Sequence, residues 1–249
     1  MLPTLSIGPL AIPAYPFLAL VAVWVGLWLT ARRAAGLGFA GDHAYNAGLY
    51  GLVAGVIGAR LWFVVLHWAN YAPDLLQAFS LSRSAMSPGA GLAAAGLAVL
   101  AYLQRNAIPL GSFLDAAAPG AAVALAIINV GAFLGGVAVG VATESGLGLA
   151  VGGETRLPVQ LYEAAGCLLI AGLLYFGRYR PWPGFQFWLG VVAYGAIKLI
   201  LEVFRANPPT IGDGYLANQI YALAAIVAGL AVMAYFFTQF DFNPQKTDD

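Results

Sequence analysis

The sequence predicts an all-α integral membrane protein, a bundle of seven transmembrane helices, and three observations carry that prediction. Of its 249 residues, 61% are apolar. Only 9% are charged, with 11 Lys and Arg balancing 11 Asp and Glu, against about 25% charged residues in soluble domains. The apolar residues also gather into runs close to the ~20 residues that a span needs. Composition excludes a disordered or fibrous chain, and the lack of a basic excess excludes a nucleic-acid binder. Cys167 is the single cysteine, so neither an internal disulfide nor a cysteine metal cluster can form. His43 and His67 lack the spacing of a zinc motif, and no cofactor or metal is expected.

Seven segments qualify as spans: 13–31, 44–68, 88–104, 110–142, 158–177, 184–204 and 214–240. The first has no Lys or Arg before Arg32; it therefore lacks the basic lead of a cleaved signal peptide and is expected to be retained. The second carries Gly48, Gly51, Gly55 and Gly58. The fourth, at ~1.5 Å per residue, would be about 50 Å long in a hydrocarbon core of about 30 Å. It must tilt, break or emerge early, and Gly131, Gly135, Gly136 and Gly140 mark where. Asp115 with Pro119 one turn later reads as a helix start, and Asn129 is expected to hydrogen-bond a neighbouring helix. The fifth opens with Pro158-Val-Gln-Leu-Tyr-Glu163; proline suits a helix start, and a carboxylate in the first turn suits the dipole. The tryptophans lie largely near span ends, as interfacial anchors do.

Glycines four apart, as in Gly51/Gly55 and Gly131/Gly135, let helix backbones approach closely. They imply tight packing, with a glycine-lined lipid cavity as the other reading. Neither a repeat nor a long linker divides the chain, so residues 1–249 are expected to form one membrane domain. With the N-terminus outside, inner loops carry Arg32, Arg33, Arg105, Arg178, Arg180 and Lys246, and outer loops Arg83, Arg156 and Arg205. This asymmetry predicts N-out and C-in.

Ionisable groups within spans are costly and need a reason. Arg60 lies inside the second span, and His67 follows on the same helical face as an interfacial residue or a titratable group facing an outer cavity. Lys198, Glu202 and Arg205 are four and three apart on one stripe of the sixth span. They read either as a self-neutralising cluster or as a phosphate clamp with Glu202 holding the cations.

Several of these residues stand in strings that resemble one family, the bacterial prolipoprotein diacylglyceryl transferases. Ser6-Ile-Gly-Pro-Leu-Ala-Ile-Pro-Ala-Tyr15 and Trp28-Leu-Thr-Ala-Arg-Arg-Ala34 are similar to its first span, and Gly55-Val-Ile-Gly-Ala-Arg60 to its second. Pro158-Val-Gln-Leu-Tyr-Glu163 and Tyr194-Gly-Ala-Ile-Lys-Leu-Ile-Leu-Glu-Val-Phe-Arg205 resemble two later motifs. Five strings in order span nearly the whole chain. The resemblance implies seven spans in the bacterial plasma (inner) membrane and transfer of a diacylglyceryl group from phosphatidylglycerol to the lipobox cysteine thiol of a preprolipoprotein.

That reaction needs a thiolate, a general base and cations for the leaving glycerol phosphate. Family members supply a histidine before the third span, and arginine, asparagine and glutamate in the fourth. Here those positions hold Gly89, Asn129, Ala132 and Val137, and the sixth-span arginine is Lys198. The head between spans four and five shrinks to about residues 143–157. Tyr15, Arg60, Tyr162, Glu202 and Arg205 are retained. The resemblance thus implies a divergent member with catalysis impaired or lost and a phospholipid cavity kept. Tyr15 and Tyr162 would line that cavity as candidate catalytic residues, Arg60, Lys198, Glu202 and Arg205 would take the headgroup, and His67 is the candidate substitute base. The alternative is a non-catalytic lipid-binding scaffold or accessory subunit of a larger membrane complex.

Overall fold

A computed structural model describes residues 4–7, 10–72, 74, 86–137, 139–151, 153–212 and 214–239. Arg83 and Lys246, counted above for orientation, lie outside these residues. The chain is all-helical in its long elements: α1 Ala14–Ala34, α2 Asp42–Leu66, the single turn α3 Trp68–Tyr71, α4 Pro88–Arg105, α5 Leu110–Leu134, α6 Val159–Phe176, α7 Phe185–Leu201 and α8 Ala217–Gln239. Six of the seven long helices are long and apolar enough to cross a membrane. The seventh, α4, is diluted by Pro88, Gln104, Arg105 and its glycines. Among the described residues are three two-stranded antiparallel sheets, β1 Thr4–Ile7 with β2 Leu10–Pro13 ahead of α1, β3 Leu149–Val151 with β4 Glu154–Arg156 between α5 and α6, and β5 Thr210–Ile211 with β6 Tyr215–Leu216 between α7 and α8.

Two compact units make up the chain, one of Met1–Thr30 with Leu114–Asp249, the other of Ala31–Phe113. In the second, α2 packs along α4 through small residues. A Cβ on Gly91 would stand 2.9 Å from Ala59 Cβ and from the Gly55 carbonyl oxygen, and one on Gly58 would collide with Ala94. The glycine stripe of α2 is therefore a packing face, as the spacing predicts. The Ser87 amide donates to the Ala59 carbonyl at 3.0 Å and fixes the start of α4 on α2.

In the first unit, α1 crosses α5 where Gly26 meets Gly120. Alanines bring α5 onto α6: Ala118 and Ala122 meet Ile170, Ala171 and Leu174, and Ala126 meets Ala164 and Cys167. The long fourth segment does break. α5 stops at Leu134, and Gly136 adopts φ 69°, a left-handed conformation that favours glycine. Gly136 N–H donates to the Phe133 carbonyl and Val137 N–H to the Ala132 carbonyl, the paired bonds of a Schellman stop. Ala132 and Val137 are thus the two apolar ends of a helix terminator.

Beyond that stop, residues 139–143 run between β4 with its following residue and the residues after α7, making isolated bridges from Gly140 to Arg205 and from Ala142 to Arg156. Val141 N–H donates to the Phe204 carbonyl at 2.9 Å, and its carbonyl accepts from Leu157 N–H at 3.1 Å. Gly140 sits at the centre of this seam, where a Cβ would collide with the Leu157 carbonyl. The reduced head is stitched on its two sides, to the residues after α7 and to those before α6.

Candidate functional site

Where α6 begins and α7 and its extension end, a buried charge network forms. The sequence predicts one stripe for Lys198, Glu202 and Arg205. In the structure the α-helix ends at Leu201, Glu202–Phe204 tightens into a 3-10 turn, and Arg205 leaves it in extended conformation. Lys198 and Arg205 still converge, on a residue read above only as a dipole partner. Glu163 is fully buried. Its Oε1 lies 2.8 Å from Lys198 Nζ and accepts a hydrogen bond from Arg205 Nη2 at 3.1 Å. Because α6 starts at Val159, Glu163 lies beyond the first turn and is held by cations from α7 and its extension.

Glu202, also fully buried, takes the other side of Arg205: its Oε2 is 3.0 Å from Nε, a charge contact too bent for a hydrogen bond. Asn218, one residue into α8, donates to Glu202 Oε1 at 2.6 Å. Lys198 therefore pairs with Glu163, whereas the clamp reading above gave Glu202 the hold on the cations. The sequence reading also missed Asn218, whose signal is a polar Asn218-Gln219 pair opening an otherwise apolar helix.

Two carboxylates and two cations leave the network without net charge, but their access differs. Both carboxylates are at 0% exposure, whereas the side chains of Lys198 and Arg205 keep 21% and 13%. The cations are therefore the accessible members of the network, and the carboxylates fix them from behind. Glu163 Oε2 is buried and finds no hydrogen-bond partner among the described residues.

The head closes over the same end. Tyr162 donates its hydroxyl to the Leu147 carbonyl, Gln160 Nε2 donates to the Val137 carbonyl at 2.7 Å, and Arg156 Nη1 to the Gly140 carbonyl at 3.2 Å. Tyr15 begins α1 and packs against Gly131 and Gly135 of α5. Asn129, expected to bridge helices, donates instead to the Leu125 carbonyl of its own helix at 3.0 Å. A short amide side chain reaches its own preceding turn without help from a neighbour.

A third buried carboxylate lies at the far end of α6 and α7. Asp115, expected to mark a helix start, sits inside α5, 1% exposed. Its Oδ2 accepts from Gly184 N–H at 2.8 Å and its Oδ1 from Phe187 N–H at 3.1 Å, so it caps α7.

The remaining predicted residues belong to the other unit. Arg60 is buried with its guanidinium 5.2 Å from the Tyr71 ring centre. His67 is exposed at the end of α2, stacked on Phe63 with centroids 4.1 Å apart. Its Nδ1 lies 2.9 Å from the Phe63 carbonyl, which only accepts, so Nδ1 carries the proton and Nε2 is the basic nitrogen of the neutral ring. Gly89 opens α4 with open space where a side chain would stand.

Comparison with known proteins agrees with the resemblance. A family model described as prolipoprotein diacylglyceryl transferase matches residues 3–235. The chain is 30% identical to the phosphatidylglycerol–prolipoprotein diacylglyceryl transferase of Corynebacterium efficiens, over 92% of this chain and 78% of that protein. It is 29% identical to the protein of that name from Chloroflexus aggregans, over 97% and 90%, and 26% identical to that from Enterococcus faecalis, over 89% and 86%.

Proposed function

The chain belongs to the prolipoprotein diacylglyceryl transferase family, a multi-pass bacterial membrane family, and from that membership we propose that it is a divergent, phospholipid-holding member. In this reading Lys198 and Arg205 receive the phosphate of an anionic lipid of the phosphatidylglycerol kind. The supporting observation is their convergence on fully buried Glu163, which leaves the cations as the accessible part of the network. Lys198 presents a point charge where a guanidinium would present a fork, so it holds phosphate without fixing its orientation.

Transfer to a thiol is impaired or lost. The thiol must give up a proton and the glycerol phosphate must leave with its charge stabilised. Gly89, Asn129, Ala132 and Val137 bring neither base nor cation, and Ala132 and Val137 serve the end of α5. His67 is the substitute base in this reading, with Nε2 as the acceptor. Tyr15 and Tyr162 sit at the same end as the lipid, and Arg60 is a further headgroup cation. The N-terminus and the short head face outward.

The test is reconstitution in phosphatidylglycerol vesicles with a lipobox peptide, following the peptide's gain in mass. Transfer is expected to be about a thousandfold or more below that of the Corynebacterium efficiens protein, as loss of a base and a main cation implies. Full turnover that survives His67→Ala would overturn both the base assignment and the loss of activity. The accessory-subunit reading draws on the same helix terminator, because its positions serve packing. Purification in gentle detergent from native membranes as a lone chain would count against that reading.

A further inference from the structure

Directly below the charge network lies a cavity of about 160 Å³. Its walls are α5 from Ala118 to Leu125 and α7 from Phe187 to Tyr194, and its floor is Cys167, Ile170 and Leu174 of α6. Side-chain size explains the gap: α5 offers alanines and α7 offers Gly190. Hydrogen bonds hold the helices at both ends, through Asp115 to Gly184 and Phe187 at one and Gln160 to Val137 at the other. Helices fixed at their ends cannot slide to close a middle lined by small residues.

The cavity excludes polar ligands, since the lining side chains are hydrocarbon apart from Tyr194 and Cys167. A dry apolar cavity of about 150 Å³ accommodates a benzene-sized group. The walls run eight residues on each helix, a rise of about 10 Å. Tyr194 is one turn from Lys198 and Cys167 one turn from Glu163, so the upper end begins about 6 Å of helix rise from the backbone of Lys198 and Glu163. Ala121 lines the cavity and is itself exposed, so the cavity reaches the surface beside it.

We propose that this cavity is an acyl-chain slot: it takes a stretch of about six carbons from one chain of the lipid whose phosphate rests on Lys198 and Arg205. The inference rests on the headgroup reading above and adds a determinant that the charges cannot supply, the length and shape of the chain. A lipid whose first carbons enter between α5 and α7 is held at two points about a helical turn apart, and chains too short to reach Leu174 lose the second.

The experiment uses the full chain in vesicles containing phosphatidylglycerol with a photoactivatable diazirine in one acyl chain, followed by peptide mapping. Label is expected on 118–125 and 187–194. Ala121→Phe, which narrows the mouth at an exposed position, should reduce that label at least tenfold while leaving label on the outward leucines Leu168, Leu169 and Leu173 unchanged. Label confined to those outward leucines in the unmodified protein overturns the slot. So does undiminished inner label in both Ala121→Phe and Gly190→Leu, the second filling the cavity from its wall. Lys198→Ala separates the two readings. Inner label lost with Lys198→Ala supports slot and headgroup site together, and inner label that persists unchanged supports the slot while overturning the headgroup site.

Discussion

Asp115 and Glu163 are both buried carboxylates in one unit, at opposite ends of the α6–α7 pair, and their partners differ in kind. Asp115 is satisfied by two backbone amides of α7, Gly184 and Phe187. Glu163 is held through its Oε1 by two side chains, Lys198 and Arg205. Backbone donors at a helix start cannot leave without unwinding the helix. A lysine and an arginine can be drawn partly away by an incoming anion while their stems stay packed. Burial and charge alone do not separate a rivet from a binding site; the mobility of the partner does.

Substitutions at the two carboxylates break this comparison most directly. Glu163→Ala leaves Lys198 and Arg205 beside an apolar gap, and removing one member of a buried pair costs about 3–5 kcal/mol. It should produce the largest fall in thermal midpoint in detergent and abolish selective retention of anionic lipid. Asp115→Ala removes acceptors for two amides, about 2–3 kcal/mol for hydrogen bonds to a charged group. The melting temperature should fall while anionic-lipid retention at Lys198 stays intact. Loss of retention in Asp115→Ala would erase the distinction drawn here.

Smaller changes sharpen it. Tyr162→Phe deletes a neutral tie from α6 to the head at Leu147, worth about 1 kcal/mol. Faster amide hydrogen exchange or proteolysis across 143–151 checks it, with little change elsewhere. Lys198→Arg keeps the charge beside Glu163 and adds a fork. Stability should move by under about 0.5 kcal/mol, while phosphatidylglycerol is retained severalfold more tightly in a headgroup-competition assay.

The spans were legible because hydrocarbon imposes length and apolar content, and the break in the fourth because 33 consecutive residues of it exceed a bilayer. Gly135 and Gly136 stand where α5 stops. Of the site, Lys198, Glu202 and Arg205 were legible because their spacing is local. Glu163 was not, since its Arg205 partner lies 42 residues on and helical periodicity carries no information over that distance. Asp115 misled for the same reason, with its amides 69 and 72 residues away. Asn129 erred the other way: its nearest acceptor is in its own helix.

The cap on α7 also bears on how the protein is made. Asp115 emerges from the ribosome 69 residues before Gly184, its first hydrogen-bond donor. Until then α5 enters the bilayer with a lone carboxyl group, which costs about 2.5–3.5 kcal/mol in a span centre on insertion scales and less near the interface. Pro119 adds to the difficulty, because it offers no amide to the Asp115 carbonyl one turn back. Both donors to Asp115 are synthesised only after α6, so the cap on α7 is a contact that the chain cannot make until the start of α7 has followed.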